Sequence, residues 1–192
     1  MASEMGFTDV VEELLELGAE VDGTDPRKVT ALLLASAKGH VDIVKMLIAK
    51  GADTNAANVG ELRPIHLASN HGHLKIVKVL LDVGVDVDAK AITGQTALNF
   101  AASEGHKKIV VALLEHGADK TGDTAEKAAE VHGHHEVALL IRNHTPVERA
   151  DVESSKMSER QNEPCSYPHI KALVEAQIKD WLEQGVIEKI DK

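Results

Sequence analysis

The chain has 192 residues, of which 43% are hydrophobic, 27% charged and 2% aromatic, and its formal net charge at pH 7 is −10. This length can bury one sizeable core and still leave a tail. The negative charge and the scarcity of aromatic rings argue against nucleic-acid binding. Such proteins need a basic surface for phosphates and, in single-strand binders, rings for base stacking.

The first residues carry glutamate instead of the basic segment of a secretory signal, and no run approaches about 18 apolar residues. The only cysteine, Cys165, cannot form an internal disulfide, which is typical of a protein in a reducing compartment. We therefore expect a cytoplasmic protein, with the nucleus as the alternative, that makes no contact with membranes.

Glycines recur along the chain at one constant interval, in two series. One series is Gly18, Gly51, Gly84 and Gly117, and the other is Gly6, Gly39, Gly72 and Gly105. A fixed period of this size indicates an array of stacked supersecondary units.

Each copy carries four branched aliphatic residues at i, i+1, i+4 and i+5, which lie on one face of a helix. The quartets are Val10/Val11/Leu14/Leu15, Ile43/Val44/Leu47/Ile48, Ile76/Val77/Leu80/Leu81 and Ile109/Val110/Leu113/Leu114. Because each face needs a neighbouring copy to cover it, the core is predicted to run continuously through the stack.

A shorter helix, rich in small residues, precedes each quartet. Leu34, Leu67 and Phe100 recur in this helix at the same interval as the glycines. We interpret them as core residues, because periodic apolar residues inside a helix are usually buried. The alternative is an apolar stripe that faces a ligand.

The motif Thr96-Ala97-Leu98, followed by Ala101-Ala102, Gly105-His106, a Leu-Leu pair and Gly117-Ala118-Asp119, resembles the ankyrin repeat. The resemblance covers about residues 1–144, with a partial first copy, three full copies and a shortened last copy. It implies an all-α ankyrin-repeat solenoid, in which stacked helix-turn-helix units are joined by β-turn fingers and the array binds proteins.

The first copy begins in mid-helix, since alignment of Gly6 with Gly105 places Met1 on Phe100. Terminal repeats are expected to present a polar outer face, yet Val10 and Leu14 belong to a helix whose partner helix is cut short. Either a partner covers this face or the chain is a fragment of a longer protein.

The next two copies depart from the motif in their fingers. Lys28 stands where a turn glycine is expected, which predicts a less regular finger in the second copy. In the third copy Gly60 lies four positions before Pro64, whereas Gly94 lies three before Ala97, which predicts a turn shifted by one position. Pro64 itself suits the first turn of a helix.

The last copy is shorter, because the interval from Gly105 to Gly133 is smaller than the intervals between the earlier glycines. The missing residues fall between Asp119 and Thr124, which predicts a deleted finger. Arg142 occupies the place of an outer leucine of the quartet, so we expect the stack to end there in a charged surface.

Residues 145–166 are predicted to be a flexible linker, because they contain too few aliphatic residues to offset the entropy of ordering. Residues 167–192 are predicted to form an amphipathic helix that begins at Pro168. Its apolar face comprises Ile170, Leu173, Val174, Ile178, Trp181 and Leu182. This helix could dock on the stack or on a partner.

The same C-terminal segment, with Gln177-Ile178 and the stretch Gly185-Val186-Ile187-Glu188, resembles the start of the reverse transcriptase region of retrotransposon polyproteins. The match is confined to this segment and includes none of the catalytic carboxylates of that family. It suggests a gene fusion, a polyprotein border or a mis-joined gene.

The densest cluster of potential metal ligands is His132, His134 and His135. The repeat register accounts for His134, which matches His106 of the preceding copy. We therefore predict no metal site and no cofactor, with a histidine-linked metal regulator as the alternative. Because the sequence also has no P-loop and no nucleophile elbow, we predict no enzymatic activity.

The positions left free by the repeat framework, in the finger and the short helix, are predicted to bind a protein partner, with the chain acting as a monomer. They are Arg27, Val29 and Lys38 in the second copy, Val59, Leu62, Asn70 and His71 in the third, and Ile92, Thr93, Gln95, Ser103 and Glu104 in the fourth. Val29, Leu62 and Ile92 are expected to form an exposed apolar row. The alternative is that they fill gaps between fingers.

The leading hypothesis is thus a non-enzymatic interaction module, an adaptor or scaffold. The alternative is a fragment of a retroelement-like or fused polyprotein whose enzymatic domain is absent from this chain.

Overall fold

The structure is a computed structural model that describes residues 1–121 and 124–144, and these residues form ten α-helices and no strand. The helices are α1 (Ala2–Met5), α2 (Thr8–Glu16), α3 (Ala31–Lys38), α4 (Val41–Ala49), α5 (Pro64–Asn70), α6 (Leu74–Asp82), α7 (Ala97–Ser103), α8 (Lys107–Glu115), α9 (Thr124–Val131) and α10 (His135–Asn143). The predicted linker and the predicted C-terminal helix lie outside the described residues.

The helices are arranged in two layers. The odd-numbered helices contact one another in succession from α1 to α9, and the even-numbered helices do so from α2 to α10. Each odd-numbered helix also packs against the even-numbered helix that follows it. The predicted all-α solenoid of stacked helix pairs is confirmed. In the part of the chain that the structure describes, no helix is both long and apolar enough to cross a membrane.

The core lies between the layers and continues through the stack, as the quartets predict. The quartet residues of the three central copies that are at most 1% exposed include Ile43, Ile76, Ile109, Leu47, Leu80 and Leu113. On the opposite layer Ala35, Ala68 and Ala101 are fully buried. Alanine at these places leaves room for the odd-numbered helices to approach the aliphatic layer closely.

A histidine ring joins each repeat to the one before it. The His73 ring lies against Gly39, whose φ is +86°, and a Cβ added to this glycine would come within 2.6 Å of the ring. The Nε2–H of His73 donates to the carbonyl oxygen of Ala37 at 3.1 Å. This carbonyl is in the last turn of α3, where a helix leaves carbonyls without an internal partner. The contact therefore caps the end of α3 and holds the start of α6, whose N-cap is His73.

The same contact occurs at two other boundaries between repeats. The Nε2–H of His106 donates to the carbonyl oxygen of Asn70, and that of His40 donates to the carbonyl oxygen of Glu4, each at 3.0 Å. The His106 ring lies against Gly72 and the His40 ring lies against Gly6, as the His73 ring lies against Gly39. The repeat distance is thus set by one recurring pair of residues.

The prediction that Leu34, Leu67 and Phe100 belong to the core is wrong. All three are only half-buried. In α7 the core side is occupied by Leu98, Ala101 and Ala102, which are buried, so a residue at position 100 lies on the other side of the helix. The three residues therefore contribute to the surface of the odd-numbered layer.

The C-terminal end of the stack is closed by charged groups, as predicted from Arg142. Arg142 pairs with Glu126 and with Glu130, both in α9. Lys120 donates through Nζ to the carbonyl oxygens of the last turn of α10, including that of Ile141 at 3.1 Å. The connection from α8 to α9 comprises positions 116–123 only, whereas that from α6 to α7 comprises positions 83–96. The connection before α9 is therefore the shorter of the two, and the deletion of a finger stays a prediction.

In the first repeat α2 is less covered than the equivalent helices of the later repeats. Val10 and Leu14 in α2 are 45% and 46% exposed, whereas the equivalent Ile76 and Leu80 are fully buried. Leu14 and Leu80 thus differ only in what covers them.

This difference predicts the outcome of one pair of substitutions. Leu80→Ala should lower the free energy of unfolding by about 2–5 kcal/mol, because it leaves a cavity in a closed core. Leu14→Ala should lower it by less than about half as much, since water already reaches this side chain. Urea unfolding followed by circular dichroism measures both. Equal losses would mean that Leu14 is covered in solution.

Candidate protein-binding surface

Three fingers of identical backbone design connect the repeats. They consist of residues 25–29, 58–62 and 91–95. In each finger the N–H of the first residue donates to the carbonyl oxygen of the fifth residue, at 3.3, 3.2 and 2.9 Å in chain order. The N–H of the fourth residue donates to the carbonyl oxygen of the first residue, at 2.9, 2.9 and 2.8 Å. The predictions of a less regular finger in the second copy and of a shifted turn in the third copy are therefore wrong.

The fingers reach the same turn by two chemical routes. The fourth residue has a positive φ in each finger: 58° at Lys28, 55° at Glu61 and 80° at Gly94. Glycine adopts this conformation readily, whereas other residues do so only with local support. The support comes from the first residue, which is Asp25 or Asn58 in the two fingers that lack the glycine.

The side chain of Asp25 supplies two hydrogen bonds. Its Oδ1 accepts from the N–H groups of Arg27 and Val29, each at 2.9 Å. The pKa of this carboxyl lies below its usual value, chiefly because Val29 N–H donates to it. In the next finger Asn58 Oδ1 accepts in the same way from the N–H groups of Gly60 and Leu62. Such side-chain bonds to the backbone two residues on are characteristic of Asx turns.

Adjacent fingers are also bonded to each other. The N–H of Ile92 donates to the carbonyl oxygen of Gly60 at 3.0 Å, and the N–H of Val59 donates to that of Arg27 at 3.1 Å. Pro26 occupies the equivalent place in the first finger and has no N–H to donate. The three fingers thus form a continuous row with a fixed spacing.

The predicted apolar row of Val29, Leu62 and Ile92 is corrected by the structure, because these residues do not occupy one repeat position. Val59 and Ile92 are equivalent and lie at the finger tips, 59% and 72% exposed. Val29 and Leu62 are equivalent to Gln95, and these residues are half-buried where the finger meets its helix.

Among the polar finger residues, Arg27 and Thr93 are exposed. Arg27 pairs with Asp25, with Nε and Oδ2 3.1 Å apart. The Thr93 hydroxyl donates to Gln95 Oε1 at 3.0 Å. Both side chains are thus engaged within their own finger.

The remaining predicted residues lie at the ends of the odd-numbered helices. Lys38, His71 and Glu104 are exposed, and Asn70 and Ser103 are half-buried. They lie one turn after Leu34, Leu67 and Phe100, on the same side of α3, α5 and α7. These three half-buried residues are the ones wrongly predicted to belong to the core. The signal that could have found them is the buried alanine one position after each, at Ala35, Ala68 and Ala101, which identifies the core side of the helix.

The buried His66 connects one helix to the following finger. Its Nδ1 accepts from the N–H of Arg63 at 3.0 Å, and its Nε2–H donates to the carbonyl oxygen of Ala89 at 2.8 Å. Burial lowers the pKa of His66 below its usual value of 6.5, and the nearby Arg63 acts in the same direction. The neutral ring is the form that satisfies both bonds.

An asparagine makes the equivalent pair of bonds in the next repeat. Asn99 Oδ1 accepts from the N–H of Thr96 at 2.8 Å, and Asn99 Nδ2 donates to the hydroxyl of Thr124 at 3.0 Å. His66 and Asn99 thus both accept from their own helix start and donate to the next repeat, whereas the equivalent residue of α3 is the buried Leu33, which makes neither bond.

The histidines considered as metal ligands have separate contacts. The ring of His134 lies against Gly105. The ring of His132 has Nδ1 2.8 Å from the carbonyl oxygen of Ala128, on the surface of α9. Within residues 1–121 and 124–144, no three His, Cys, Asp or Glu side chains are grouped so that they could hold a metal ion. That the chain binds no metal or cofactor stays a prediction.

Comparison with known proteins identifies one family. A family model described as ankyrin repeats (3 copies) matches residues 1–91 and 65–154. No curated protein matches the chain. The matched residues end before the C-terminal segment, so they add no support to its resemblance to retrotransposon polyproteins.

The bonds of His66 predict a pH dependence of stability. The unfolded chain protonates His66 near pH 6.5, whereas the folded chain does so only at lower pH. The contribution of the neutral His66 to stability is therefore fully present above about pH 6.5 and is lost as the pH falls through the lower folded-state pKa. His66→Asn should flatten this part of the profile, because Asn99 makes the equivalent bonds. Urea unfolding between about pH 5 and 8 measures the slope.

The matched control for this experiment is His71→Asn, which alters an exposed histidine of the same repeat. It should keep the wild-type slope. If the His66→Asn and His71→Asn variants have the same pH profile, the buried ring is not the source of the dependence.

Proposed function

Because this chain belongs to the ankyrin-repeat family, we propose that it is a non-enzymatic adaptor or scaffold that binds a protein partner through its fingers and odd-numbered helices. Ankyrin repeats are generally modules for protein–protein interaction and typically have no catalytic activity. The proposed binding surface consists of the finger tips together with the exposed side of α3, α5 and α7.

One observation carries this proposal, namely the apolar side chains that this surface presents at regular spacing. Val59 and Ile92 extend from adjacent finger tips, and Leu34, Leu67 and Phe100 recur once in each helix beside them. Apolar groups presented together on one side of a protein mark interaction sites more often than scattered surface residues do. Apolar side chains at the centre with polar groups around them are also the usual anatomy of a protein interface.

The polar residues of the surface supply specificity in this proposal. Lys38 lies near Glu4, with Nζ and Oε1 3.8 Å apart, while His71 and Glu104 are exposed at the equivalent positions of the next repeats. The charge at this position thus changes from one repeat to the next, which favours a partner with matching charges in a particular register.

We further propose that the protein acts in the cytoplasm as a monomer. The single cysteine, which cannot form an internal disulfide, supports a reducing compartment. The net charge of −10 supports a protein partner instead of a nucleic acid.

A double substitution at the finger tips tests this function. Val59→Glu/Ile92→Glu adds two charges to the proposed interface, and each change should alter stability by under about 0.5 kcal/mol because both side chains are exposed. Proteins captured from lysate by the wild-type chain should be depleted at least about tenfold with this variant, as measured by quantitative mass spectrometry.

The control adds the same two charges elsewhere. Val83→Glu/Leu139→Glu changes residues that are 47% and 51% exposed, outside the fingers and odd-numbered helices. It should capture the same proteins as the wild type. Equal capture by all three baits, with equal thermal melts, would exclude the finger tips as the binding site.

A further inference from the structure

The first repeat carries an exposed apolar stripe along α2 and its two capping residues. We call this stripe the N-terminal face and define it by Phe7, Val10, Leu14 and Leu17. These residues are 56%, 45%, 46% and 78% exposed. Their 3-4-3 spacing places them on one side of the helix, which is the spacing of a helix that packs against another helix.

The central repeats show what normally covers these positions. Ile76 and Leu80 in α6 are the equivalents of Val10 and Leu14, and they are buried in the stack, in which α6 packs against α4 of the preceding repeat. Val10 and Leu14 therefore have the chemistry of residues that pack beneath another helix.

The residue at the position of the recurring histidines indicates that the helix covering Val10 and Leu14 need not belong to a further repeat of the same kind. His40, His73 and His106 donate to a carbonyl of the preceding repeat. Phe7 occupies the equivalent place and has no N–H on its ring. It offers apolar surface where a preceding repeat would need a hydrogen-bond donor.

The charge of this end specifies the occupant further. Residues 1–26 contain eight acidic side chains and no lysine, arginine or histidine. The acidic residues are Glu4, Asp9, Glu12, Glu13, Glu16, Glu20, Asp22 and Asp25. A second copy of the same end would bring like charges together, so the face is complementary to a basic surface instead.

A cavity of about 320 Å³ adjoins the face and has both chemistries. Leu14, Leu15 and Val21 contribute apolar walls, and Glu20 and Asp25 also line it. A long side chain with an apolar stem and a positive head, that of lysine or arginine, fits such a lining.

We propose that the N-terminal face binds an amphipathic helix of a partner protein, whose apolar stripe is flanked by lysine and arginine. The partner's apolar residues pack on Val10, Leu14 and Leu17, and its basic residues meet the carboxylates around them. Helix-in-groove recognition of this kind uses anchors at i, i+3, i+4 and i+7. The four apolar residues that define the face lie outside the fingers, and the proposal does not depend on the function proposed for the finger tips.

The test uses the full chain and two synthetic helical peptides of about 18 residues, one of leucine and lysine and the other of leucine and glutamate in the same pattern. Fluorescence anisotropy should detect binding of the lysine peptide only, and this binding should weaken as salt rises. Leu17→Glu should lower the affinity at least about tenfold. The matched control Leu139→Glu, at an exposed leucine of α10, should change it less than about twofold.

Leu17→Glu also separates this site from simple charge attraction. The variant adds a negative charge, so a peptide held by net charge alone would bind it as well as or better than the wild type. That outcome would overturn the proposal, as would equal binding of the glutamate peptide. Sedimentation of the wild-type chain and of Leu17→Glu tests whether a second copy occupies the face. If the wild type is a dimer that Leu17→Glu abolishes, and the lysine peptide does not bind, the proposal is overturned and the occupant is a second copy.

Discussion

The whole structure depends on the contact between a histidine ring and the left-handed glycine of the preceding repeat. The glycine terminates a helix in a conformation that costs it little, and the absence of a Cβ lets the ring of the next repeat lie on the backbone. The ring in turn donates to a carbonyl that the helix leaves without a partner. One pair of residues thus ends one helix, starts the next and sets the distance between repeats.

That constant distance is what allows the fingers to form a single row. Neighbouring fingers lie within hydrogen-bonding reach of each other, so their backbones have one geometry although their side chains differ. A turn built from aspartate and lysine and a turn built from alanine and glycine have the same two backbone hydrogen bonds. The surface can therefore vary in chemistry while the scaffold beneath it stays rigid, which is the arrangement that binding loops generally require.

The sequence predicts the fold well because each structural position has its own steric requirement, repeated from copy to copy. Glycine at helix ends, alanine between layers and aliphatic quartets leave one arrangement that buries them all. The surface is harder to predict. Leu34 and Leu67 are apolar and periodic, but only the neighbouring buried alanines reveal that they lie on the outer side of the helix. Lys28 has a positive φ because Asp25 supports the turn, a relation between two residues that inspection of single positions overlooks.

Pro26 has a consequence for how such an array can grow by tandem duplication. The second and third fingers each donate an N–H to the finger before them, and either could be copied into the middle of the array with that bond intact. A copy of the first finger would bring a proline to a place where a donor is needed, and the neighbouring carbonyl would lose its partner. Lengthening of the array is therefore compatible with duplication of an inner repeat and is opposed for the repeat that contains Pro26.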